Sequence, residues 1–221
     1  MLFRPIAVAA VALVCAAAPA RAAEAPDLAA LEAKGVKFKK DKAGVVTEAS
    51  FGGKTAIDLD GWKAVGQIKS ITKASFSGGS NWPPGTVAPP GDPLNDQTAA
   101  AIAGLENVEE FFSNGSEMTD DAFKAFAGWK KLRRFGLDHW FGPKSSKATL
   151  GPGLAHLKDL PALEHVRLGG CKVDNRVCDA LAQCKSLQSV DLFHTFAVTD
   201  DGVAALKALP KLRVVKLGPQ F

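Results

Sequence analysis

The chain has 221 residues, of which 47% are hydrophobic and 23% charged, with 27 Lys and Arg against 23 Asp and Glu and a formal net charge of +4. This is the composition of an ordinary globular protein long enough for one sizeable core. So small a positive balance makes no electrostatic case for a nucleic-acid partner.

The first segment stands apart from that core. Met1-Leu-Phe-Arg4-Pro5 is a short basic start, residues 6–18 are an uncharged apolar run, and Ala20-Arg21-Ala22 offers a small-x-small cleavage site. Residues 1–22 therefore read as a secretory signal peptide, too short to span a bilayer, which takes roughly 20 apolar residues. A lipoprotein reading would place the acyl group on Cys15, but Val14 stands where such sites take a small side chain. Removing residues 1–22 takes away Arg4 and Arg21 and no acid, so 25 cations face 23 acids and the charge falls to +2. No later stretch is apolar enough for a membrane span. The expectation is an exported protein, periplasmic or secreted.

Residues 23–53 read as an N-terminal cap. Asp27 to Ala33 suits a short helix stopped by Gly35; Val36-Lys-Phe38-Lys alternates as a strand, Asp41-Lys-Ala-Gly44 turns, and Val45 to Phe51 returns. Such a hairpin covers the first open edge of a sheet, which otherwise templates aggregation. Lys34, Lys37, Lys39, Lys40 and Lys42 cluster here. They read as a solvated face that protects the edge, with contact to an envelope polyanion as the lesser reading.

From residue 54 onward one five-slot apolar pattern recurs. It runs Val65, Ile68, Ile71, Ala74, Phe76; then Ile102, Leu105, Val108, Phe111, Ser113; then Phe126, Trp129, Leu132, Phe135, Leu137. Three tighter units follow: Leu157, Leu160, Leu163, Val166, Leu168; Leu181, Cys184, Leu187, Val190, Leu192; and Leu206, Leu209, Leu212, Val215, Leu217. The last steps are 24 and 25 residues, while those from Val65 to Ile102 and from Phe126 to Leu157 are 37 and 31. A period of this size means stacked units that cannot hide their apolar faces alone. In each unit the alternation of Val166 and Leu168 with His165 and Arg167 marks a short strand with one buried face. Val198-Thr-Asp-Asp-Gly-Val203 then opens a helix at which Thr199 or Asp200 can accept from orphan N–H groups. Its buried stripe is Val203, Leu206 and Leu209.

The run L-x-x-L-x-L-x-x-C-x-V at Leu163 to Val173, with V-T-D-D-G-V-A-A-L-x-x-L-x-x-L-x-x-V-x-L at Val198 to Leu217, resembles the leucine-rich repeat in its cysteine-containing form. It is similar to repeats in exported bacterial proteins whose units read V-T-D-x-G-L-x-x-L. The resemblance implies an α/β solenoid, a right-handed horseshoe segment with a curved parallel sheet inside and short helices outside. It specifies a fold and no reaction.

Two insertions interrupt the pattern, at residues 77–93 and 138–147. The first is too rich in Pro and Gly to continue a helix or strand. Both leave from strand C-terminal ends and so project from one rim. Trp82, His139, Trp140, Phe141, Phe193, His194 and Phe196 then either gather into an aromatic recognition site or fold down as lids that pin their own loops. The strand faces turned away from the core offer a second surface. They carry Lys73, Ser75, Glu110, Phe112, Arg134, His165, Arg167, Ser189, Asp191, Val214 and Lys216, with Phe112 and Arg167 as anchors. Such a mixed strip suits a protein or peptide better than a phosphate backbone.

Chemistry is otherwise scarce. Cys171, Cys178 and Cys184 sit at slots that hold small or apolar residues in neighbouring units, so inert core thiols are expected, with one disulfide as the alternative. His139 and His194 hold corresponding places with one strand between them, about 9–10 Å across the backbone, too far for a shared zinc. Thr119-Asp-Asp121 and Thr199-Asp-Asp201 both begin helices and read as capping. No Ser-His-Asp or Cys-His set, and no phosphate-cradling glycine loop, is present. The sequence therefore points to a binding scaffold with no cofactor, metal or catalytic residue. A self-associating envelope component, pairing through the strand at Val214–Leu217, is the alternative.

Overall fold

The computed structural model describes residues 25–52, 55–77, 93–142 and 150–218. Residues 1–22, Trp82, most of the first insertion and half of the second lie outside these, as do the readings attached to them. Each five-slot unit folds as the alternation dictates, a strand followed by a turn and a short helical segment. Eight strands stand side by side in chain order: β1 (Val36–Lys40), β2 (Val46–Phe51), β3 (Lys73–Ser77), β4 (Glu110–Ser116), β5 (Arg134–Trp140), β6 (His165–Gly169), β7 (Ser189–Leu192) and β8 (Val214–Leu217). β1 and β2 pair antiparallel as a hairpin, and every later pairing is parallel. The hairpin lies on the first edge of the parallel sheet, where an unpaired strand would otherwise stand.

The connections carry α1 (Leu28–Ala33), α2 (Leu59–Gly66), α3 (Asp96–Ala101), α4 (Phe123–Phe126), α5 (Asn175–Leu181) and α6 (Asp200–Ala205), with 3-10 turns at Asp120–Ala122, Pro152–Leu157 and Leu206–Ala208. Asp27 and Asp58 cap α1 and α2 through their carboxylates, each accepting one N–H at 3.0 Å. The result is an α/β solenoid.

The slots form continuous ladders. Val166 pairs with Val190 and Val190 with Val215, and the slot residues from Val65 to Leu192 are buried. The early units are filled by rings. Phe51 stacks on Trp62 at 5.0 Å and on Phe76 at 4.5 Å, and Phe111 stacks on Phe135 at 5.2 Å. Each buried ring contributes about 1.5–3 kcal/mol by area, and ring pairs about 0.5–1.5 kcal/mol more. Trp129 holds a leucine slot because its Nε1 donates to the Ala103 carbonyl at 3.0 Å. Ser113 holds another because its Oγ donates to the Gly115 carbonyl at 3.3 Å. In the last unit Leu212 and Val215 are only half-buried and Leu217 is 44% exposed, since no described strand lies beyond β8.

Polar ties join one repeat to the next. Asp96 accepts from Thr119 N and Oγ1 at 2.7 and 2.6 Å. Asp120 accepts from Gly151 N and Gly153 N at 3.0 and 2.7 Å. Asn175 Oδ1 accepts from Thr199 N at 2.8 Å, while its Nδ2 donates to Thr199 Oγ1 at 2.9 Å. The expected local cap at Thr199 is therefore replaced: its side chain makes no cap hydrogen bond to its own helix, because the previous repeat engages it. Thr119 does cap its own turn, accepting from Asp121 N at 3.2 Å.

Candidate binding site on the open sheet face

Period-2 alternation sends one side of every strand away from the core, and there the strands build a groove of about 430 Å³. Of the residues expected on this face, Lys73, Ser75, Glu110, Phe112, Arg134, His165, Arg167, Ser189, Asp191 and Lys216 all line it. Its floor is set by Phe112 and Gly136, paired in register on β4 and β5. A β-carbon at Gly136 would stand 2.8 Å from Cδ2 of the Phe112 ring, so glycine is what lets the ring lie across the next strand.

Charges flank this floor in fixed pairs. Glu110 meets Lys73 and Arg134, each at 3.2 Å. Arg167 is clamped between two carboxylates: Nε and Nη2 donate to Asp138 Oδ1 and Oδ2 at 2.8 and 3.2 Å, and Nη1 donates to Asp191 Oδ2 at 2.9 Å. Those bonds to Asp138, with the charges of both carboxylates, push the guanidinium pKa up from its ordinary value. A β-carbon at Gly169 would overlap Asp138 Oδ1, so this glycine opens the path from β5 to Arg167. Arg167 is thus held rigidly where it lines the groove. Beside it, His165 Nε2 lies 3.8 Å from Glu164, whose carboxyl pKa is lowered chiefly by a hydrogen bond from Arg133.

The rim is divided. Trp140 does not belong to it: the ring is 0% exposed and its Nε1 donates to the Met118 carbonyl at 2.9 Å. β5 runs on to Trp140, beyond the expected start of the insertion at residue 138. His139 there adopts φ 53° and His194 in the corresponding place φ 59°, alongside Gly115 at 74° and Gly170 at 62°. This left-handed residue, a conformation in which His is enriched, turns the following side chain inward. Ser116, Trp140, Cys171 and Thr195 are the four buried results.

Phe141, Phe193 and Phe196 are exposed, Phe196 by 63%. The His194 ring stacks on Phe193 at 3.8 Å and lies 5.7 Å from Phe196. His139, Phe141, His194 and Phe196 border a second cleft of about 710 Å³, and His139 Nδ1 lies 3.0 Å from Asn114 Oδ1.

The thiols are buried and free. Burial pushes Cys171 and Cys184 up to about 12 and Cys178 up to about 11, so none is a nucleophile at neutral pH. Among the described residues, no group of three or more His, Cys, Asp and Glu could hold a metal. None of the described helices is long and apolar enough to cross a membrane.

No family model matches the chain, and no curated protein matches it. The chain is similar to the crystal structure of an internalin C2 from Listeria monocytogenes, at 18% identity over 78% of this chain and 80% of that one, with a TM-score of 0.40.

Proposed function

We propose that this protein is an exported, non-catalytic binding scaffold that recognises a protein or peptide through the open sheet face. The observation that carries this reading is the groove itself: an aromatic floor at Phe112 and Gly136, flanked by cations and carboxylates held in place before any ligand arrives. Preformed pairs lower the ordering cost of binding, and mixed signs favour a partner with both charges over a polyanion. Phe112, Arg134, His165, Arg167 and Asp191 form the contact set. Phe141, Phe193, His139, His194 and Phe196 extend it along the rim. Export is read from residues 1–22, and the acids in the groove act as ion-pair partners of cations.

The test is selection of peptides from a random library against the chain lacking residues 1–22. Selected peptides are expected to lose about tenfold or more in affinity for a Phe112→Ala, Arg134→Ala variant that keeps its circular dichroism. Undiminished affinity for that folded variant would overturn the reading.

A further inference from the structure

On the open face of β1 to β5, one row of side chains alternates in sign. Lys39, Glu48, Lys73, Glu110 and Arg134 stand in register on successive strands. Ion pairs tie them, Lys39 to Glu48 at 2.8 Å and Glu110 to both Lys73 and Arg134 at 3.2 Å. Opposite charges set directly across neighbouring strands attract, and each acid of the row lies between two cations. The pattern then stops. The next places, on β6, β7 and β8, hold His165, Ser189 and Val214, so no acid follows Arg134 and three cations face two acids. Arg134 meets an acid on one side alone, shares that acid with Lys73, and keeps its side chain 61% exposed. Toward β6 and β7 the acids are already engaged, Glu164 by Arg133 and Asp191 by Arg167, each at 2.9 Å. Two residues along β5 from Arg134 lies Gly136, over which the half-exposed Phe112 ring extends.

Resting on the groove as the binding surface, we infer that its occupant is an extended peptide segment carrying a carboxylate and an aromatic side chain two residues apart. The carboxylate takes the place missing from the row, beside Arg134, His165 and Ser189, and the aromatic ring lies against Phe112. These two places follow Arg134 and Gly136, themselves two residues apart on β5, and the same step along an extended ligand covers about 6.6 Å. A carboxylate there accepts charge-assisted hydrogen bonds from the Arg134 guanidinium. Ring against ring adds the contact that anchors an interface. A cation in the same place would face Arg134 instead. A polyanion would be set against Glu48 and Glu110 in the same row, so a single acid suits the face better.

The experiment selects peptides from a random library against the chain lacking residues 1–22 and against two variants shown by circular dichroism to be folded, Arg134→Glu and Phe112→Ala. The parent is expected to enrich Asp or Glu two residues from Phe, Tyr or Trp. Arg134→Glu should enrich Lys or Arg in place of the acid and keep the aromatic residue, whereas Phe112→Ala should keep the acid and lose the aromatic. A peptide selected by the parent should lose about tenfold in affinity when its acid is exchanged for Lys. Selected peptides without the acid, or with an acid undisturbed by Arg134→Glu, would overturn the inference. If those peptides still need Phe112, the groove itself stands; peptides indifferent to both variants, or no peptides at all, remove both. A concentration-dependent dimer in light scattering that Arg134→Glu dissolves would give this face to a second copy and overturn the inference as well.

Discussion

The ring of Phe112 covers Gly136 so closely that a β-carbon there would meet its Cδ2 at 2.8 Å. Because the ring is half-exposed, an added methyl can displace it toward solvent without opening the core. Gly136→Ala should therefore change stability by no more than about 1 kcal/mol, since the entropy gained by removing a glycine offsets the strain. Binding in the groove should nevertheless fall, because the floor has moved. Urea unfolding and a peptide titration on the same variant check both halves.

Trp140 and Phe196 should behave in opposite ways. Trp140→Ala empties a fully buried site and orphans the Met118 carbonyl, costing about 3–5 kcal/mol. Phe196→Ala, on the exposed rim, should stay within about 0.5 kcal/mol of the parent. Equilibrium unfolding in urea measures each.

The three thiols should be silent to a thiol reagent at neutral pH in the folded chain and react together on unfolding. Their pKa values lie above those of unfolded cysteine, so the stability they contribute is fully present below the unfolded value. It is lost as pH rises toward about 11 for Cys178 and about 12 for Cys171 and Cys184. Thermal unfolding recorded from pH 8 upward should show a falling midpoint, shallower in a Cys184→Ala variant than in the parent.

Glu164 titrates below the ordinary glutamate value, chiefly because Arg133 donates a hydrogen bond to it at 2.9 Å. A depressed carboxyl supports folding above its unfolded pKa and ceases to do so as pH falls through its folded one. Arg133→Ala should raise the Glu164 pKa toward its ordinary value, which side-chain carbonyl shifts in an NMR titration report directly.

The ladders were legible because burial enforces their period: every slot from Val65 to Leu192 is buried where the spacing put it. The open-face residues followed from the same alternation. The rim was harder. His139-Trp140-Phe141 reads as an aromatic loop until Leu137-Asp-His-Trp140 is set against Leu168-Gly-Gly-Cys171, when Trp140 falls on the buried thiol's place. A single left-handed residue decides the direction, and His139 hides it where Gly170 shows it. The Asp138 to Arg167 pair was not legible, since it depends on side-chain reach across a strand at Gly169. Nor was Gly136, whose role is to leave room for a ring two dozen residues away in the chain.

The central claim is that the open sheet face holds the ligand. Backbone NMR shifts of the chain lacking residues 1–22, followed during titration with a library-selected peptide, test it most directly. The account predicts the largest changes at Ser75, Phe112, Gly136, Arg167 and Asp191. Changes confined to the helices on the opposite side, at Lys63, Lys124 and Asp179, would contradict it.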